Sequence, residues 1–254
     1  MSTPAESVVL TPLGGPTTLI EAGGVRFLVD PTFDAAGEYP IGSRVLVKTT
    51  DAVWTQEQVG PVDAVLLSHD QHPDNLDHGG RAYLASRSPL TLTTPVAAER
   101  LGGTAVGLRP WEQRQVGEIA VTAVPAQHGP DGTEHLTGPV TGFVLEVPGR
   151  ARIYVSGDNA SLRLVTEIAG RFPSIDLAVL FAGAARTPLV DGYLTLTSDE
   201  AVEAARVLGA PLVLPVHTDG WAHFTQDGAS FRAAFAAADL GAVLLPSTPG
   251  SSVG

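Results

Sequence analysis

At 254 residues, 44% of them hydrophobic and 17% charged, the chain is long enough to bury a sizeable core and too apolar to remain disordered. Its 27 acidic against 15 basic side chains give a formal net charge of −12, which argues against nucleic acid as a partner, because phosphate-tracking surfaces need clustered Lys and Arg. Cysteine is absent, so disulfides and thiolate metal sites are excluded and any metal must be held by nitrogen and oxygen.

The segment Met1 to Glu6 has no basic stretch followed by an apolar one, and no apolar run approaches membrane-spanning length. A cytoplasmic protein with no membrane partner is expected. Short apolar runs at Val8–Leu10, Thr17–Ile20 and Val25–Val29 predict strands, with Gly23-Gly24 as a tight hairpin turn. Residues 34–60 read as an irregular connection punctuated by Gly37, Pro40, Gly42 and Gly60. Strands and helices then alternate: strand Val62–Ser68, helix Gly79–Ser86, strand Leu90–Thr93, helix Val96–Leu101, strand Ala105–Leu108. Strands Ile119–Val124, Gly142–Val147 and Arg152–Ser156 follow, the last two joined by a turn at Pro148-Gly149. The final third reads as helix Leu162–Phe172, strand Leu177–Leu180, helix Ser198–Leu208 with Ser198 as its N-cap, strand Leu212–Val216, helix Ala229–Ala238 and a last strand Ala242–Leu245. No linker or repeat divides residues 1–254, so one α/β domain is expected, with two sheets face to face and helices outside.

Three of the seven histidines fall in the window His69-Asp70-Gln71-His72-Pro73-Asp74-Asn75-Leu76-Asp77-His78, directly after a buried strand. Further ligand-type residues occupy the same topological place. His128, Asp158 and His217 each lie just past the C-terminal end of a predicted strand. Strand ends are rigid and can aim side chains into one crevice, and imidazoles with carboxylates are the donors that bind borderline divalent metals.

Several stretches resemble the metallo-β-lactamase fold superfamily, in the branch similar to L-ascorbate-6-phosphate lactonase. They are Gly14-Gly15-Pro16-Thr17-Thr18-Leu19-Ile20-Glu21, Leu28-Val29-Asp30-Pro31, Pro125-Ala126-Gln127-His128, Ser156-Gly157-Asp158-Asn159 and the run from Pro215 to Phe224. The resemblance implies a four-layered αββα sandwich of two mixed β-sheets flanked by helices. It also implies one or two divalent ions, zinc or manganese, held by His72, Asp74, His128, Asp158 and His217, with Asp158 bridging if two are bound.

The first motif departs from the family pattern His-x-His-x-Asp-His. Aligned on Asp74, this chain has Asp70 at the first histidine and Asn75 at the last. Either Asp70 takes the first place, or the loop holds one extra residue and His69 supplies the imidazole. Asp70 is alternatively a partner that orients an imidazole. His78 and His135 read as solvated loop residues, and His223 as a substrate-contact or packing residue. Asp30 is either a structural anchor or a turn-forming Asp-Pro. The Gly14-Gly15 pair lacks a following helix and is no phosphate cradle.

The expected activity is metal-dependent hydrolysis of a small-molecule ester, lactone or phosphoester by a metal-bound hydroxide, with Asp74, and Asp70 beside it, as catalytic carboxylates. The other reading, motivated by the altered first motif, is a fold-retaining, catalytically weakened protein that binds a metal or metabolite. A serine hydrolase is disfavoured because no Gly-x-Ser-x-Gly elbow occurs. A homo-oligomer is compatible with the sequence.

Overall fold

Each sheet of the protein begins as an antiparallel meander and ends as a parallel array, and this layout sets where the strand ends open. The computed structural model describes residues 8–42, 44–87 and 89–254. The reading of residues 1–6 lies outside them.

In the first sheet β1 (Val9–Gly14), β2 (Thr17–Ala22) and β3 (Val25–Val29) form the meander. After a hairpin, β4 (Gly37–Ile41) and β5 (Arg44–Lys48), and a short helix, α1 (Gln56–Val59), the chain re-enters the sheet. It does so as β6 (Ala64–Leu66), β7 (Leu90–Thr93) and β8 (Ala105–Gly107), all parallel to β3, with α2 (His78–Arg87) and α3 (Pro95–Leu101) as crossovers. The strand order is β1-β2-β3-β6-β7-β8.

The second sheet repeats the scheme. Strands β9 (Gln113–Val116), β10 (Ile119–Pro125), β11 (Thr141–Val147) and β12 (Ala151–Val155) run antiparallel, with the short α4 (Glu134–Thr137) between β10 and β11. Then α5 (Leu162–Arg171), β13 (Leu177–Phe181), α6 (Ser198–Leu208), β14 (Leu212–Val216) and α7 (Gly228–Ala237) add two parallel strands. This is the expected αββα sandwich.

Side-chain alternation shows why both faces of the second sheet are covered. Along β13, Leu177, Val179 and Phe181 enter the core between the sheets, while Ala178 and Leu180 pack with Val165 and Ile168 of α5 and Ala201 and Val202 of α6. A strand buried on both faces must be apolar at every position, and Leu-Ala-Val-Leu-Phe is. On the first sheet, Val65 and Leu67 pack outward against Tyr83 of α2, while Ala64 and Leu66 face the shared core.

The structure corrects four sequence readings. Residues 37–48 form a hairpin rather than an irregular connection, turning at Gly42 with φ 57°. The expected strand at 242–245 is a 3₁₀ turn, Gly241–Val243, plus one parallel bridge from Val213 to Leu244. Helix α6 is capped by Thr197, one residue before Ser198: the Thr197 hydroxyl accepts from Glu200 N while the Glu200 carboxylate accepts from Thr197 N. Strand β9 and helix α4 carry no strong periodic signal and were not expected. Gly23 and Gly24 both take positive φ, 55° and 79°, as a type I′ turn requires.

Candidate metal centre

The ends of β6, β10, β12 and β14 open at the same rim, and the loops leaving them bring histidines and aspartates from four distant stretches together. One group is His69, His72 and His128; the other is Asp74, Asp158 and His217.

In the first group, His69 Nε2 and His72 Nδ1 lie 2.9 Å apart, and His128 Nε2 is 3.2 Å from the same His72 atom. The remaining nitrogens fix the tautomers of two rings. Ser68 Oγ donates its one proton to Asp30 Oδ2 at 2.7 Å, so it accepts from His69 Nδ1–H at 2.8 Å. His128 Nδ1–H donates to the Leu194 carbonyl at 2.9 Å. Both rings thus present an Nε2 lone pair to His72 Nδ1. Burial pushes the His72 pKa down to about 4 and holds His69 well below the ordinary histidine range. The His72 tautomer is free: with Nδ1 protonated it donates to one of these nitrogens, and with Nδ1 bare three lone pairs converge on one point, where a cation would join them. The donor set therefore fits a borderline divalent metal.

The second group is built differently. His217 follows β14 directly, in a left-handed conformation with φ 57°. Its backbone N–H donates to the Gly15 carbonyl at 2.7 Å, and Gly15 N–H donates to Asp219 Oδ1 at 2.7 Å. The β1–β2 turn thus clips the loop, which is the role of the Gly14-Gly15 pair. The His217 ring stacks on Phe181, and its Nε2 lies 3.3 Å from Asp74 Oδ2 and 3.6 Å from Asp158 Oδ1. Burial opposes charge on His217, but Asp158 and Asp74 outweigh it and raise its pKa. Burial likewise raises the carboxylates, yet the imidazoles prevail. His223 and His217 hold Asp74 well below its ordinary value, and His217, His128 and His69 hold Asp158 below its own. Asp74 Oδ1 is buried without a hydrogen-bond partner among the described residues.

Asp158 stands between the groups. Its Oδ1 faces His217, while Oδ2 lies 3.6 Å from His128 Nε2 and 4.0 Å from His69 Nε2. Gly157 turns the chain to place it, with φ 56° and its Cα so close that a Cβ would lie 2.5 Å from the Thr141 carbonyl oxygen.

Asp70 is not in either group, contrary to its expected place as a first ligand or catalytic carboxylate. Arg100 Nε donates to both its oxygens, at 3.1 and 3.0 Å, and Arg100 Nη2 also binds Oδ1. Arg81 Nη2 donates to the Asp70 carbonyl. The electrostatic attraction of these cations turns the carboxylate away from the histidines, so the imidazole in the first place is His69, reached by one extra loop residue. His78 is exposed at the start of α2, stacks on Tyr39 and pairs with Asp34 at 3.3 Å. His135 is exposed on α4.

Other participants carried weaker signals in the sequence. His223 Nε2 lies 3.1 Å from Asp74 Oδ2. Asn75 Nδ2 donates to Asp30 Oδ2 and Asp158 Oδ1, each at 3.0 Å. Asp30 accepts in addition from Ser68 N at 2.7 Å, and its burial raises its pKa to about 7. It is a buried anchor for the β6 loop. Lys48 and Asp77, both buried, form an ion pair at 3.1 Å that ties β5 to the start of α2.

The model of the β-lactamase superfamily domain matches residues 25–218, spanning every strand from β3 to β14. The chain belongs to the β-lactamase superfamily. Within it, a UPF0173 metal-dependent hydrolase of Pelotomaculum thermopropionicum is 32% identical over 200 residues, covering 75% of this chain and 82% of the relative. A second UPF0173 metal-dependent hydrolase, of Methanosphaerula palustris, is 30% identical over 202 residues, covering 73% and 82%. This chain therefore belongs to the UPF0173 family of the superfamily. Solved structures share its fold at low identity. An isothiocyanate hydrolase from Delia radicum gut bacteria superposes with a TM-score of 0.83 at 18% identity, covering 97% of this chain and 98% of that one. A metallo hydrolase of Ignicoccus hospitalis gives 0.74 at 20%, covering 97% of each. Among the described residues, no helix of this superfamily member is long and apolar enough to cross a membrane.

Proposed function

We propose that the protein is a metal-dependent hydrolase that cleaves an ester, lactone or phosphoester bond in a small molecule. The observation that carries this reading is the convergence of His69 Nε2, His72 Nδ1 and His128 Nε2, two of them with fixed tautomers, beside the Asp158 carboxylate. The name its UPF0173 relatives bear, metal-dependent hydrolase, supports it. His69, His72 and His128 would hold one divalent cation, Asp74 and His217 a second, and Asp158 would lie between them. The all-nitrogen group suits zinc, and the mixed group accepts zinc or manganese.

When bound, such cations lower the pKa of a coordinated water to about 7 and polarise the oxygen of the scissile bond. The chain's own residues do the rest. Asp74 Oδ1, a buried acceptor with no partner among the described residues, would take a proton from the attacking water. Phe181 and Phe224 wall the His217 side and strengthen electrostatic effects by excluding solvent. Arg44, at the start of β5, donates to Thr187 Oγ1 at 2.6 Å and lies near enough to His72 to lower its pKa. It has no carboxylate partner among the described residues, which favours a substrate with an anionic group: a phosphoester, or a lactone with a phosphate or carboxylate, in line with the lactonase resemblance.

A specific observation keeps the second reading in play. Asn75 is fully buried at the place of a family histidine, which is what a metal- or metabolite-binding protein with weakened catalysis would show. Elemental analysis of protein purified without added metal separates the two. One or two equivalents of zinc or manganese, lost together with hydrolysis in His128→Ala, support the hydrolase. Absence of metal, or full activity on an identified substrate in His128→Ala, would overturn it.

A further inference from the structure

An amide nitrogen has no lone pair to offer a cation, and Asn75 directs both Nδ2 protons at carboxylates, Asp30 and Asp158; its Oδ1, a weak ligand atom, is buried without a hydrogen-bond partner among the described residues. The Asp74–Asp158–His217 group is left with a single imidazole. Another imidazole reaches that place from a different loop. His223 Nε2 lies 3.1 Å from Asp74 Oδ2, the same oxygen that His217 Nε2 meets at 3.3 Å.

The rest of the structure holds His223 in that position. Ala222 N–H donates to the Val47 carbonyl of β5 at 2.9 Å, and Arg186 N–H donates to the His223 carbonyl at 3.1 Å. Trp221 and Phe224 flank the ring, with centroids 6.1 and 4.6 Å away. The side chain is only 14% exposed, and its Nδ1 is buried without a hydrogen-bond partner among the described residues. The ring is thus enclosed, with Nε2 directed at a carboxylate of the cluster.

Building on the metal centre proposed above, we propose that His223 supplies the nitrogen that Asn75 withholds, so that Asp74, Asp158, His217 and His223 together hold a second divalent cation. Two nitrogens and two carboxylate oxygens suit zinc or manganese. Asn75 is then a positioning residue for Asp158, and the change at position 75 is offset from across the site.

The test is a calorimetric titration of the metal-stripped full-length protein with zinc and, separately, manganese. It compares the parent with His223→Ala, His223→Gln and the double variant Asn75→His/His223→Ala. The parent should bind two equivalents. In both single variants the first should keep its affinity within about twofold, while the second weakens at least about tenfold, since even loss of an outer partner costs that much. The double variant should regain the second equivalent. Glutamine preserves most of the volume and gives the same readout if the alanine variant folds poorly. A second equivalent bound with parental affinity in the folded single variants would overturn the proposal, and so would a parent that binds only one. A parent that binds no metal would instead sink the metal-centre reading itself.

Discussion

Ser68 serves His69 twice, accepting from its Nδ1 and passing its own proton to the buried Asp30. This relay decides which nitrogen of His69 faces the cluster. Replacing Ser68 by Ala should leave the fold intact and weaken the first bound cation by about 10–100-fold, measured by competition with a chromogenic chelator. Parental affinity in that variant would contradict the relay. Arg44 is tested on turnover. Arg44→Ala should raise KM for a substrate whose anionic group lies away from the scissile bond while kcat changes little, because such a contact is made equally in the ground and transition states. Equal effects on an uncharged ester would show that the guanidinium does not read charge. At this scale the sequence was legible where a residue type has few other uses at a strand end, as with His72, His128, Asp158 and His217. It was illegible at Asp70 and His223. Asp70 is turned outward by arginines 11 and 30 positions downstream, and His223 is brought to Asp74 by a bridge between Lys48 and Trp221. Neither long-range contact leaves a local trace.

The β4–β5 hairpin is the element that most changes the picture of the site. It carries Arg44, pairs with the 217–224 loop, and is anchored by the buried Lys48–Asp77 pair. The hairpin reads as a loop because Gly37 and Pro40 lie in β4 and because Val45 and Val47 of β5 are exposed. Its stability comes from tertiary anchoring and not from strand propensity. Asp77 accepts from the backbone N–H groups of Phe33, Asp34 and Gly80 as well as from Lys48. Lys48→Ala leaves that buried carboxylate without its cation, and should cost about 3–5 kcal/mol in urea unfolding. A loss under 1 kcal/mol would show that the pair does not anchor the hairpin. Elsewhere the long helices and the parallel strands were legible, since strong periodicity or a continuous apolar run leaves few alternatives. The one-residue error at the α6 cap reflects two adjacent residues, Thr197 and Ser198, that are both good caps; the Glu200 carboxylate chooses Thr197.

For the whole molecule, five imidazoles and two carboxylates at one rim make stability depend on pH and on metal. His72, with a pKa near 4 when folded and 6.5 when free, binds its proton more readily in the unfolded chain, and His69 is shifted the same way. These two histidines therefore make the metal-free protein lose stability as pH falls from 6.5 towards 4, while Asp30, raised to about 7 when folded, opposes that loss by taking up its proton over the same range. The depressed Asp74 and Asp158 add their loss only below about 3.8, and the raised His217 contributes stability that is lost only as pH rises through its folded value. Thermal melting of the metal-stripped parent and of His72→Ala at pH 7 and pH 5 checks the His72 share: acidification should lower the Tm of the parent relative to that of the variant, and equal changes in the two would contradict it. Added zinc should raise Tm at pH 7 more than at pH 5, because protons compete for the same nitrogens. The place of each candidate just past a strand end could be read from the sequence, since each follows an apolar run. The most direct test of the shared centre is anomalous scattering from crystals at the zinc and manganese edges. We expect a peak bounded by His69, His72, His128 and Asp158. No peak there after soaking with either metal, or a peak ligated by other residues, would contradict the account.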